Sequence, residues 1–93
     1  MHPSIFVLNI LLQTLQNGLQ YHQNHEFNKM VAQRVVDLLA NSTKGQTQEW
    51  GNWNHLAEQI INNLNIFIHT EPEKLDIKQF KLQYTKWLVE INS

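Results

Sequence analysis

The apolar positions of this chain fall into four stretches of helical period, divided by polar runs. In the first, from about Ser4 to Tyr21, Ile5, Leu8, Leu12, Leu15 and Leu19 share one face and Leu11 widens it. Pro3 suits a first helical turn and Ser4 is a candidate cap. Phe6 and Ile10 point away from that face, so the first three turns are apolar nearly all round. Gly18 weakens the far end by ~1 kcal/mol relative to Ala.

The second stretch runs from about Asn24 to Ala40, with Phe27, Met30, Val31, Val35 and Leu38 on its face. Asn24 is placed as an N-cap, and Glu26 complements the positive end of the helix dipole. No Gly or Pro separates the first two stretches. A turn is expected because the first stripe, continued, would run through His22 and Glu26; a single bent helix is the alternative.

Asn41-Ser42-Thr43-Lys44-Gly45-Gln46 reads as a loop. The third stretch starts near Thr47, with Glu49 in its first turn, or alternatively at an Asn52 cap that leaves Trp50 in the loop. Its stripe is Trp50, Trp53, Ala57, Ile60, Ile61, Leu64 and Ile68. Gly51 is its weak point. Asn65-Ile66-Phe67-Ile68 has β-branched character but is too short to displace the helical phase.

Thr70-Glu71-Pro72-Glu73 has the form of a capping box, with Pro in the first turn of a fourth helix reaching about Asn92. Ile77, Phe80, Tyr84, Trp87, Leu88 and Ile91 line one face of it. Leu75, Leu82 and Val89 recur every seven residues on roughly the opposite face. A surface helix needs one apolar stripe; a second predicts either cover on both sides or a partner. Short connections between four helices predict an all-α, up-and-down bundle forming a single domain over residues 1–93. The expected core includes Leu12, Leu15, Val31, Leu38, Trp53, Ile60, Leu64, Phe80, Tyr84 and Trp87.

Composition narrows the classes of function. The chain is 42% hydrophobic, which is enough for a core, but only 16% charged, with a net charge of −1. Its polar surface rests largely on 21 Asn and Gln residues. Weak long-range fields and no basic excess make nucleic acid an unfavoured partner. The absence of cysteine removes disulfides, thiolate metal sites and cysteine nucleophiles together. The apolar start has no preceding Lys or Arg and is interrupted by Asn9 and Gln13, unlike a secretory signal, and no run approaches the ~18 apolar residues of a membrane span. A cytoplasmic protein without membrane attachment is expected.

Candidate chemistry is sparse. His22, His25 and Glu26 have ligand-like spacing, but a metal site needs a third or fourth ligand that nothing specifies, so no metal or cofactor is expected. Arg34 falls on the predicted apolar face of the second helix, where its stem can lie along the core edge and its head reach water or Asp37. Lys74, Lys78 and Lys81 form a like-charged row at helical spacing. The three tryptophans sit on core stripes, and no phosphate loop, nucleophile elbow or HExxH motif is present. The pattern favours a non-enzymatic protein-protein interaction module, of the adaptor, inhibitor or immunity type, acting by binding or occluding a partner as a homodimer. The expected partner-binding residues are Leu75, Leu82 and Val89, flanked by Lys78 and Lys86 and extended by Phe6 and Ile10. The alternative is a nucleic-acid accessory protein using Lys74, Lys78, Lys81 and Lys86.

Overall fold

The structure, a computed structural model, describes residues 3–43 and 53–92, with side chains from 5 to 41 and from 55 to 92. Among the described residues there are four α-helices and no strand: α1 (Pro3–Gln20), α2 (His25–Thr43), α3 (Trp53–His69) and α4 (Ile77–Asn92). A short 3-10 turn at Pro72–Lys74 precedes α4. The expectations placed on Thr47, Glu49, Trp50, Gly51 and Asn52, and the burial of Trp53, lie outside the described residues or side chains. The described part of α2 continues through Asn41-Ser42-Thr43, three residues that the composition assigned to the loop.

α1 and α2 are separate helices, and the break is a backbone motif with no glycine at its left-handed position. His22 takes a left-handed conformation at φ 54°. Gln23 N–H then donates to Gly18 O at 2.8 Å and His22 N–H to Leu19 O at 3.4 Å. These paired bonds close the last carbonyls of α1 in a Schellman arrangement. The next residues open α2: Asn24 Oδ1 accepts from the backbone N–H of Glu26 at 2.7 Å and of Phe27 at 3.4 Å, as an N-cap should.

α2 packs closely against both α1 and α3, and α1 against α4. Asn9 and Gln16 on α1 bond Asn92 and Thr85 on α4 at 3.0 and 2.5 Å, so residue numbers rise on one helix as they fall on the other. The pair is therefore antiparallel. α3 and α4 meet through aromatic side chains: Phe67 and Phe80 stack edge to face with centroids 5.3 Å apart. The result is a small up-and-down bundle with one buried cluster that draws on all four helices.

Leu12, Leu15, Val31, Ile60, Leu64, Tyr84 and Trp87 are buried as the periodicity predicts, and Leu38 and Phe80 pack partly buried against them. Two phases differ from expectation. α2 turns Asn28, Val31, Ala32, Val35, Val36 and Leu39 inward, leaving Phe27 and Met30 exposed, because it must cover two neighbours and buries a broad face. Phe67, with no place in the predicted stripe of α3, is fully buried between His25 and Phe80.

The start of α4 is the main correction. Thr70 does not cap it; its Oγ1 donates back to Ile66 O at 2.5 Å, closing the end of α3. Glu71-Pro72-Glu73-Lys74 makes only the 3-10 turn, without a side-chain cap. Asp76 is the N-cap, its Oδ1 accepting from Gln79 N–H at 3.2 Å and its carbonyl from Phe80 N–H at 3.2 Å. The local Thr/Pro/Glu signal lost to a cap six residues later, because the connection between α3 and α4 needs extended backbone. Leu75 supplies it at φ −83°, ψ 134°.

Candidate functional site

Seven residues were expected to form one partner-binding surface, and the structure separates them into three groups. Leu75 lies before α4, in the extended connection, and packs partly buried against the core. It belongs to the monomer's own interior, and the apparent seven-residue repeat loses its first member. Leu82 and Val89 remain on the outer face of α4, 68% and 63% exposed. Lys78 and Lys86 are exposed beside them. Among the described residues α4 is covered on its inner side only.

Phe6 and Ile10 stand outward on α1, 58% and 49% exposed, with Val7 exposed at their flank. The first two face outward as their spacing predicts; Val7 was not named. The antiparallel bonds between α1 and α4 set their position: Asn9 is level with Asn92 and Gln16 with Thr85. Phe6 and Ile10 therefore lie beside the C-terminal end of α4, while Leu82 lies toward its beginning. Amide and hydroxyl groups occupy the seam between the helices, so the exposed apolar residues form two patches and not one sheet of hydrocarbon.

The candidate chemical groups are dispersed. His22 is exposed on the strained turn. His25 is half-buried with its ring tilted on Phe67 at 5.6 Å, while Glu26 is exposed and approaches Lys29 at 4.0 Å. Among the described residues no group of three or more His, Cys, Asp or Glu side chains is placed to hold a metal. Arg34 is exposed, and Asp37 accepts a hydrogen bond from Gln33 Nε2 at 3.0 Å. The apolar-face position assigned to Arg34 came from the wrong phase of α2. The lysine row is broken in the same way as the leucine repeat: Lys74 sits in the 3-10 turn, 3.4 Å from Glu71, and Lys81 is half-buried.

Tyr84 and Trp87 are fully buried, with ring centroids 5.4 Å apart, at the end of an aromatic run that begins at His25 and passes through Phe67 and Phe80. Among the described residues Tyr84 OH and Trp87 Nε1 have no hydrogen-bond partner. Desolvation by burial pushes the Tyr84 phenol far above its ordinary value, so it stays protonated and serves as packing, not as a base. A cavity of about 230 Å³ lies at the α1–α2 turn, lined by Gly18, Leu19, His22, His25, Asn28 and Leu75 among others. It is smaller than the usual range for a small-molecule site.

No family model matches the chain, and no curated protein and no solved structure matches it either. Among the described residues no helix is long and apolar enough to cross a membrane.

Proposed function

We propose that this protein is a non-enzymatic interaction module that works by presenting a helical face to a protein partner, and that it self-associates as a homodimer. The observation that carries this reading is the set of large apolar side chains left in water on two adjacent helices: Phe6, Val7 and Ile10 on α1, and Leu82 and Val89 on α4. Single exposed apolar residues are ordinary. Three within two turns of one helix form a patch of the kind that marks association surfaces. α1 strengthens the argument because it carries no charged residue from Pro3 to Gln20, so nothing on that helix repels an apolar partner.

The reading is further supported by the use of Tyr84 and Trp87 as packing. Binding or occlusion needs only a shaped, desolvating surface. The test is the molar mass in solution, followed by light scattering and sedimentation over rising concentration. A monomer–dimer equilibrium is expected. A protein that remains monomeric at the highest soluble concentration would overturn the homodimer.

A further inference from the structure

We propose that Asn17–Gly18 is a self-modification site: when the last turn of α1 opens, the Gly18 backbone nitrogen attacks the Asn17 carboxamide and turns residue 17 into an aspartyl or isoaspartyl residue. Of the three glycines in the chain, Gly18 is the one that follows an asparagine. Glycine matters there because its nitrogen is unscreened, whereas a Cβ on the following residue would crowd the attack. The two residues have opposite settings: the Asn17 side chain is exposed, and Gly18 is buried against Asn28.

The reaction needs no co-reactant but water. A bond forms between Gly18 N and Asn17 Cγ, and the bond from Cγ to Nδ2 breaks. The Gly18 N–H proton leaves, by way of water, with the side-chain amide as ammonia. The five-membered imide then adds water at either of its carbonyls. Opening at one gives an ordinary backbone with an aspartate side chain; opening at the other routes the backbone through Cγ. Nothing is oxidised or reduced.

The folded turn withholds these requirements. Within α1 the Gly18 N–H is engaged with the carbonyl one turn earlier, and helical dihedrals keep the Gly18 nitrogen away from Asn17 Cγ. The carbonyls of both residues are tied as well: Asn17 O accepts from Tyr21 N–H at 3.0 Å and Gly18 O from Gln23 N–H at 2.8 Å. Asn28, itself buried, covers Gly18. Yet this is the terminal turn of its helix, residues 20–24 are all exposed, and its closure depends on the left-handed backbone of His22. Helix ends of this kind open at less cost than the whole fold.

The product does not restore the turn. A carboxylate at residue 17 would be the first charge on α1, placed at the negative end of the helix dipole. In the isoaspartyl form the extra backbone carbon moves Gly18 O out of register with Gln23 N–H. The modification therefore loosens the junction of α1 and α2 in one direction only.

The test incubates the protein at mildly alkaline pH in rising urea and follows residue 17 by peptide mass spectrometry, with aspartyl and isoaspartyl peptides separated from the parent peptide. The unfolded chain is expected to react, and the folded protein to react more slowly by roughly tenfold or more. The folded rate should rise with urea already below the global unfolding midpoint, because a local opening suffices. In full denaturant Gly18→Ala should slow the reaction by roughly tenfold or more. Without urea, Asn28→Ala, which uncovers Gly18, should speed it several-fold. If Asn28→Ala does not fold, His22→Gly, which relaxes the turn, should slow the reaction instead. The modified protein, once separated by ion exchange, should melt below the parent. No reaction at residue 17 in the unfolded chain overturns the site, and equal rates in folded and unfolded protein overturn its protection. A rate that rises only with global unfolding overturns the local gate. A modified protein that melts with the parent overturns the one-way loosening.

Discussion

The Asn28 side chain of α2 occupies the space where Gly18 of α1 would carry a side chain. A Cβ built on Gly18 meets Asn28 Cγ at 3.0 Å and Asn28 Oδ1 closer still. Asn28 is only 3% exposed, and its Nδ2 donates to Gln23 O at 3.4 Å, so the amide cannot simply swing into water. Among the described residues its Oδ1 has no hydrogen-bond donor, and it lies over the bare backbone of α1. Gly18 thus lets α1 and α2 close at the end where the chain reverses.

Gly18→Ala should therefore destabilise the protein although Ala is the better helix former. The propensity gain is at most ~1 kcal/mol, against about 1–3 kcal/mol for overpacking a tight contact. Urea unfolding of Gly18→Ala, Asn28→Ala and the double variant would measure the coupling. The double variant is expected to recover part of the loss. A Gly18→Ala protein more stable than the parent would refute the tight contact.

His22 holds a left-handed backbone that glycine takes without strain. His22→Gly is expected to range from neutral to about 1 kcal/mol more stable, the relief of backbone strain being offset in part by the greater freedom of the unfolded chain. His22→Val, branched at Cβ, should lose about 1–2 kcal/mol. Thermal melting of the three proteins reads the order Gly, His, Val directly.

Tyr84 carries a buried hydroxyl without a partner among the described residues and a phenol whose ionisation is shifted upward by burial. In the unfolded chain the phenol ionises near its ordinary value of 10.0. The folded protein retains that proton to higher pH. The contribution is fully present below pH 10 and lost above it, with a slope of at most about 1.4 kcal/mol per pH unit from this one group. Tyr84→Phe should remove that alkaline loss and, by deleting an unpaired buried hydroxyl, raise stability at neutral pH by about 1 kcal/mol. Denaturant unfolding at pH 7 and above pH 10 checks both. A loss at pH 7 would mean that the hydroxyl is partnered in solution.

Leu75 and Leu82 look equivalent in the sequence and occupy different environments in the fold. Leu75→Ala should cost about 1–2 kcal/mol of stability for a side chain packed partly buried against the core. Leu82→Ala should change stability by less than about 0.5 kcal/mol. The comparison needs only melting curves. Equal effects would mean that both leucines share one environment.

Much of the helical framework was legible in advance, because burial along one helix follows the local 3.6-residue geometry and needs no knowledge of the neighbours. The stripes through Leu8, Leu12, Leu15 and Leu19 and through Tyr84, Trp87 and Ile91 are of that kind. The Asn24 cap is equally local, one side chain bonding its own next turn. Other features depended on what each helix packs against. The phase of α2 was set by its having α1 on one side and α3 on the other, so Asn28, Ala32 and Val36 went inward while Phe27 and Met30 stayed out. The Thr70 signal and the Asp76 cap are both valid helix starts in isolation; the path from α3 to α4 chose the second and took Leu75 out of the helix. Sequence thus determined which residues face each other along one helix. Only the tertiary structure decided which faces are covered, because covering a face requires a neighbour, and the number and placement of neighbours are properties of the whole chain.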